Sequence, residues 1–222
     1  MTEDAARRQL AFCALGYVGT QEQDKTHWWL VEQYNKIRPL PRYFEMTIYE
    51  PWCAMFVSVM AKLNNMLDII PAECGCGEMV KLFQKMNRWQ EADDYMPKLG
   101  DIIFYDWDDS GAGDDTGEPD HVGIVTKCYE NSFTVTEGNY HDSVMNRDMV
   151  VNGCYIRGFG LPDYQKWATK QNESDIPDWA YDAWKWVKET GISDGKRPGD
   201  KVTRAEVWTM LHRYHNKFDK EK

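Results

Sequence analysis

The run from Ala54 to Ala61, Ala-Met-Phe-Val-Ser-Val-Met-Ala, has almost no polar face to turn towards water. A helix that is apolar nearly all round is a buried one, so the chain must surround this segment with other elements. Pro51 fixes φ just ahead of it and suits a helix start, and the spacing predicts a helix from Cys53 to about Met66. Its first turn holds a thiol. Cys53 there feels the positive end of the helix dipole, which favours thiolate, the form that attacks acyl groups. A free cysteine also packs well as a small hydrophobe, so a catalytic reading needs a base elsewhere in the chain.

The rest of the chain predicts an α+β fold. Ala6, Leu10, Ala14 and Tyr17 recur at helical spacing from Thr2 to about Tyr17, and GEMVKLFQKMNRW carries Met79, Val80, Phe83 and Met86 on one helical face. A mixed, proline-punctuated region separates the first helix from Tyr49. The short β-branched and aromatic runs GDIIFYDW, DHVGIVTKCY, SFTVTEG and CYIRGFG then read as strands bounded by Gly, Asp and Asn. Helices followed by a meander of strands describe an α+β domain over residues 1–164. The polar residues 165–175 read as a linker. Residues 176–218 read as a small helical unit, with one helix closed by Gly191 and a second capped by the Thr203–Glu206 capping box.

A base is available on the strands. Side chains alternate along a strand, so His121, Gly123 and Val125 share one face, as do Phe133, Val135, Glu137 and Asn139. Phe133 and Val135 must face the core, which leaves Glu137 at the end of a buried face, where a carboxylate needs a partner. With a hairpin about Glu130–Ser132, Glu137 and Asn139 come opposite or diagonal to His121. Either one can orient the imidazole while the other ring nitrogen meets the thiol.

The net charge of −10 disfavours nucleic acid as a partner, because affinity for phosphate rests on Lys and Arg. No run approaches the length of a membrane span. The segment ARRQLAFCALGYVGTQEQ imitates a secretion signal, but Glu3 and Asp4 precede it and no small-residue cleavage site follows. The expectation is a protein made in a reducing cytoplasm, with its six cysteines as free thiols.

At PWCAMFVS, LGDIIFYDW, DHVGIV and TEGN the chain resembles the CHAP family of cysteine peptidoglycan hydrolases, especially lysins of phages and prophages, over about Ala5 to Tyr164. NRDMVVNGCYIRGFGLPDY is similar to the strand that closes such lysins. The resemblance implies a papain-like fold, N-terminal helices packed on an antiparallel sheet, with Cys53 as nucleophile and His121 as general base and then acid. It implies Glu137 as the group orienting His121, Asn139 as completing the site, and Trp52 beside the thiol as a binding residue. The implied activity is cleavage of an amide bond in peptidoglycan, foremost as an N-acetylmuramoyl-L-alanine amidase. The alternatives are an endopeptidase of the stem peptide or cross-bridge and, from another class, a non-catalytic wall-binding protein. An endolysin made without a signal peptide would accumulate in the host cytoplasm and act at the wall after release.

The tail is similar to an S-layer homology repeat in its Trp-Ala start, GISDG turn and TRAE box. That resemblance implies a secondary wall polymer bound through Arg204 and Glu206 with Trp184 or Trp186, or assembly with copies from other chains. Asp106, Asp108 and Asp109 faintly resemble a calcium loop, but Gly117 stands where an EF-hand needs Glu. A solvated loop is favoured, and no metal is assigned. Cys74 and Cys76 lack the partner pair that a zinc site requires, and read as structural thiols.

Overall fold

The computed structural model of the chain describes residues 1–92, 94–108, 117–174, 180–195 and 202–219. It divides into two compact units, one of Asp4–Tyr164 and one of Met1–Glu3 with Gln165–Lys222. The larger unit opens with α1 (Glu3–Leu15), α2 (Lys25–Asn35), α3 (Cys53–Leu63) and α4 (Cys76–Lys85). The strands follow: β1 (Trp89–Gln90), β2 (Ile102–Tyr105), β3 (His121–Cys128), β4 (Ser132–Glu137), β5 (Met145–Val150) and β6 (Ile156–Gly160). They form one antiparallel sheet in the order β1-β6-β2-β3-β4-β5. The fold is α+β, with the N-terminal helices preceding the sheet.

α3 is buried from Cys53 to Ala61, as its lack of a polar face requires. It stops at Leu63, short of Met66: the Asn64 side chain donates to the Met60 carbonyl at 2.7 Å, and Asn65 turns to a φ of +55°. α4 likewise stops at Lys85 because Asn87 takes a φ of +54°. Trp89, expected in that helix, instead pairs with Gly160 in the sheet and packs its ring on Phe104. The proline-punctuated region conceals α2, whose N-cap Asp24 accepts from the His27 amide at 2.7 Å.

Both faces of the central strands are covered. On one, Phe83 of α4 meets Phe104 edge-on. There too a Cβ added at Gly138, just beyond β4, would lie 2.5 Å from the Phe56 Cβ of α3. The other face carries a cluster of Ile103, Tyr105, Val125, Phe133, Val135, Ile156 and Phe159. At the near end of the sheet Arg7 of α1 donates to the buried Asp101 at 2.9 Å, just before β2, and Tyr95 donates to its other oxygen. That pairing is what a buried carboxylate needs.

Past the sheet, α5 (Tyr164–Ser174) occupies most of the segment read as a linker. In the smaller unit, α6 (Tyr181–Glu189) ends at Gly191 with a φ of +70°, and α7 (Arg204–Tyr214) starts from the expected capping box. Residues 175–179 and 196–201 of the tail, and Asp109 of the acidic loop, lie outside the described residues. Among the described residues no helix is long and apolar enough to cross a membrane. All six cysteines are free thiols.

Candidate active site

Four neighbouring strands deliver one face of side chains to the same end of the sheet. Tyr105 on β2 lies directly across from His121 on β3. Between β3 and β4 the register shifts at Thr126: Cys128 pairs with Phe133 and Lys127 with Thr134, but Val125 pairs with Val135 and Ile124 with Thr136. This bulge sets Glu137 across from Gly123, on the face of His121. Arg147 on β5 pairs with Val135, one step diagonal to Glu137 on that face. A Cβ at position 123 would lie 2.7 Å from the Glu137 Cγ and 2.5 Å from the Val135 Cγ1, so a glycine leaves the carboxylate its path to His121.

Glu137 is fully buried and fully engaged. Its Oε2 meets His121 Nε2 at 3.0 Å and accepts from Arg147 Nη2 at 3.0 Å; its Oε1 accepts from Tyr105 Oη and Arg147 Nε, each at 2.8 Å. Burial pushes its pKa up, but the hydrogen bonds from His121 and Arg147 outweigh burial and leave it below the usual carboxylate value. Arg147 is held in turn between two rings, 4.7 Å from the Trp107 centroid and 3.8 Å from that of Tyr140.

With Nε2 committed to Glu137, Nδ1 is the nitrogen left to serve Cys53, and the thiol and imidazole shift each other's pKa. Cys53 is the first residue of α3. Its Sγ lies 3.6 Å from that of Cys76, the first residue of α4, so two helix starts bring their thiols together. The Cys76 hydrogen bond does most to hold Cys53 well below the usual thiol value. His121 and the Ala54 amide add to it against the opposing effect of burial. Cys76, donating to that sulfur and buried beside it, is pushed well above. Burial alone would lower His121, but its hydrogen bonds to Cys53 and Glu137 raise it to about 9. Both shifts favour the thiolate–imidazolium form of the pair.

The pair sits between two clefts. His121 opens on one of about 320 Å³ lined by Trp107, Asn139, Tyr140, His141 and Arg147. Cys53 opens on another of about 360 Å³ that includes Arg42, Pro51, Cys76, Pro119 and Asp120. Glu137, rather than Asn139, meets the imidazole; Asn139, at a φ of +59°, lines the first cleft.

Other expected residues fare differently. Trp52 is fully buried, its ring centroid 4.6 Å from that of His27 and its Nε1 donating to Glu22. Cys76, taken for a structural thiol, belongs to the site. The signal was present, since Cys76 opens a helical run just as Cys53 does. Arg147 and Tyr105 were also missed, because only strand pairing brings them to Glu137. In the smaller unit Trp184 donates to the Gly195 carbonyl at 2.8 Å, under the Lys188 ammonium. Trp186 is 43% exposed and stacked on Phe218, and Arg204 is exposed. The Glu206 carboxylate accepts from the amide and hydroxyl of Thr203 within the capping box. The Asp106 carboxylate accepts from the Asp108 amide, and among the described residues no three His, Cys, Asp or Glu side chains gather as a metal site.

No curated protein and no solved structure matches the chain. The family match that is found implies a hydrolase acting on peptidoglycan, as an amidase or a peptidase. Residues 45–139, which hold Cys53, His121, Glu137 and Asn139, match the family model described as the CHAP domain.

Proposed function

We propose that the protein is a cysteine-dependent peptidoglycan amidase of the endolysin type, cutting the bond between N-acetylmuramic acid and L-alanine. The observation that carries the reading is the hydrogen-bonded series His121–Glu137–Arg147, with the Cys53 thiol at a helix start held well below its usual value by Cys76 and His121. Cys53 and His121 each line a cleft, and both lie within the residues that match the CHAP domain. The Cys53 thiolate attacks the amide carbonyl, and the backbone N–H of Cys53, at a helix start, serves the developing oxyanion. His121 gives its proton to the leaving amine as the C–N bond breaks. Neutral His121 then takes a proton from water, whose oxygen attacks the thioester, and the free acid leaves with the thiolate restored. Glu137 holds the ring in position throughout. The smaller unit serves as the wall-binding part, with exposed Trp186 and Arg204 as its contacts to an acidic wall polymer.

The test is mass spectrometry of purified peptidoglycan after incubation with the wild type and with Cys53→Ala. Intact stem peptides with a free N-terminal alanine, absent with the variant, are expected. New amino ends inside the peptides would replace the amidase with an endopeptidase that uses the same groups. Equal product from a natively folded Cys53→Ala would remove Cys53 from the reaction.

A further inference from the structure

We propose that Cys53 and Cys76 form an oxidation site in which peroxide converts Cys53 to a sulfenic acid and Cys76 captures it as a disulfide, closing the hydrolase until a thiol reductant reopens it. The proposal rests on Cys53 being the nucleophile. Acyl transfer makes no use of a second thiol in the reaction path, yet Cys76 is placed 3.6 Å from the reacting sulfur. Both residues are nearly buried, at 4% and 8% exposure, and both line the 360 Å³ cleft, which gives a small oxidant a way in. A disulfide has an S–S distance of roughly 2.05 Å, so the sulfurs must approach by about 1.5 Å. Each sits in the first turn of its helix, where the leading amides have no intrahelical partner and the backbone is least constrained.

The third thiol in the cleft is committed elsewhere: Cys74 Sγ accepts from Arg42 Nη2 at 3.2 Å. Cys128 and Cys154 are exposed. Cys76 is thus the resolving partner that the geometry offers.

The chemistry balances. The Cys53 thiolate attacks a peroxide oxygen; the S–O bond forms, the O–O bond breaks, and the departing oxygen takes a proton from His121 or solvent. The sulfur loses two electrons to the peroxide. The Cys76 sulfur then attacks the sulfenic sulfur; the S–S bond forms, the S–O bond breaks, and hydroxide leaves as water with the Cys76 proton. A thiolate at Cys53 is the form that peroxide oxidises. The largest influence raising Cys76 is its hydrogen bond to that same thiolate, with burial and the Asp120 charge beside it, so converting Cys53 to a neutral sulfenic acid makes Cys76 easier to ionise at the moment it is needed. Two equivalents of a small thiol reverse the disulfide. Without Cys76 the sulfenic acid would pass on to sulfinic acid, which thiols do not reduce.

The experiment treats the reduced full-length chain with equimolar hydrogen peroxide, blocks free thiols with N-ethylmaleimide, and maps linked peptides by mass spectrometry, with peptidoglycan hydrolysis followed in parallel. A Cys53–Cys76 cross-link, near-complete loss of hydrolysis and recovery of both with dithiothreitol are expected. In Cys76→Ser the same dose should give dimedone-reactive Cys53 and then an inactivation that dithiothreitol does not reverse, whereas Cys74→Ser should keep the cross-link. Wild-type Cys53 found as a dimedone adduct or sulfinic acid beside alkylated Cys76, or linked to Cys74, would overturn the proposal without any variant being needed. A cross-linked protein that still hydrolyses peptidoglycan would overturn the closing of the enzyme. A peroxide-induced cross-link in a protein whose reduced form never hydrolyses peptidoglycan would sink the functional reading alone.

Discussion

Glu137 makes four hydrogen bonds from zero exposure, and the charge it keeps there adds to that of Cys53 in raising His121. The sign of the pH dependence follows. As pH rises through about 9, His121 loses the proton it must give to the leaving amine, and activity falls. As pH falls, the Cys53 thiolate is protonated, and because its pKa is held low this loss comes only well below the usual thiol range. Glu137→Gln keeps the size and removes the charge, so His121 should fall back from about 9 towards its ordinary value. The alkaline limb of kcat/KM should move to lower pH, with a drop of about a hundredfold at the optimum. An unmoved limb would mean that Glu137 supports packing alone. Tyr105→Phe removes one donor from a carboxylate that keeps three others and should cost about 1 kcal/mol in thermal unfolding, within the usual range for one hydrogen bond.

Two elements must meet correctly for the thiol and the imidazole to face each other: α3, which carries Cys53, and the β3–β4 pair, which carries His121 and Glu137. Gly138 is where they touch. A methyl there would lie 2.5 Å from the Phe56 Cβ and 3.0 Å from the Trp52 ring, and neither atom can retreat within a buried helix. Gly138→Ala should therefore cost about 1–3 kcal/mol, as overpacked cores do. It should also slow Cys53 alkylation at neutral pH, because pushing α3 away separates the thiol from His121. A normal melting temperature with normal alkylation would show the helix to be less fixed than its packing implies. The bulge at Thr126 acts on the same elements. Counting straight on from the Cys128–Phe133 pair would set Glu137 across from Ile124, on the opposite face from His121, and a shift of one residue reverses this.

At the scale of the molecule, the proposed function places chemistry and retention at the wall in different units, the two into which the chain divides. A chain ending after residue 174 keeps α1 to α5 and all six strands. It should hydrolyse soluble peptidoglycan fragments at a rate close to that of the full chain, yet remain in the supernatant when sedimented with intact walls. The full chain should sediment with them. Equal sedimentation of both would move wall binding into the larger unit and leave the exposed Trp186 and Arg204 without that role.

The sequence alone carried what depends on local pattern. The all-round apolar run had to become the buried helix α3, the alternating runs had to become strands, and Thr203 with Glu206 had to cap α7, because each follows from periodicity or from side-chain chemistry within a few residues. Cys53 and His121 were legible for the same reason: one opens a helix, the other opens a strand. The tertiary structure decided what depends on register and on the meeting of distant helices. One extra residue in β3 brings Glu137 to the face of His121, and the end of β4 at Glu137 leaves Asn139, at a φ of +59°, off that strand. Strand order brings Tyr105 and Arg147 to the same carboxylate, and the convergence of two helix starts sets Cys76 against Cys53. None of these is a property of any single segment, since a strand's face is fixed only by its neighbour and a thiol's partner only by packing.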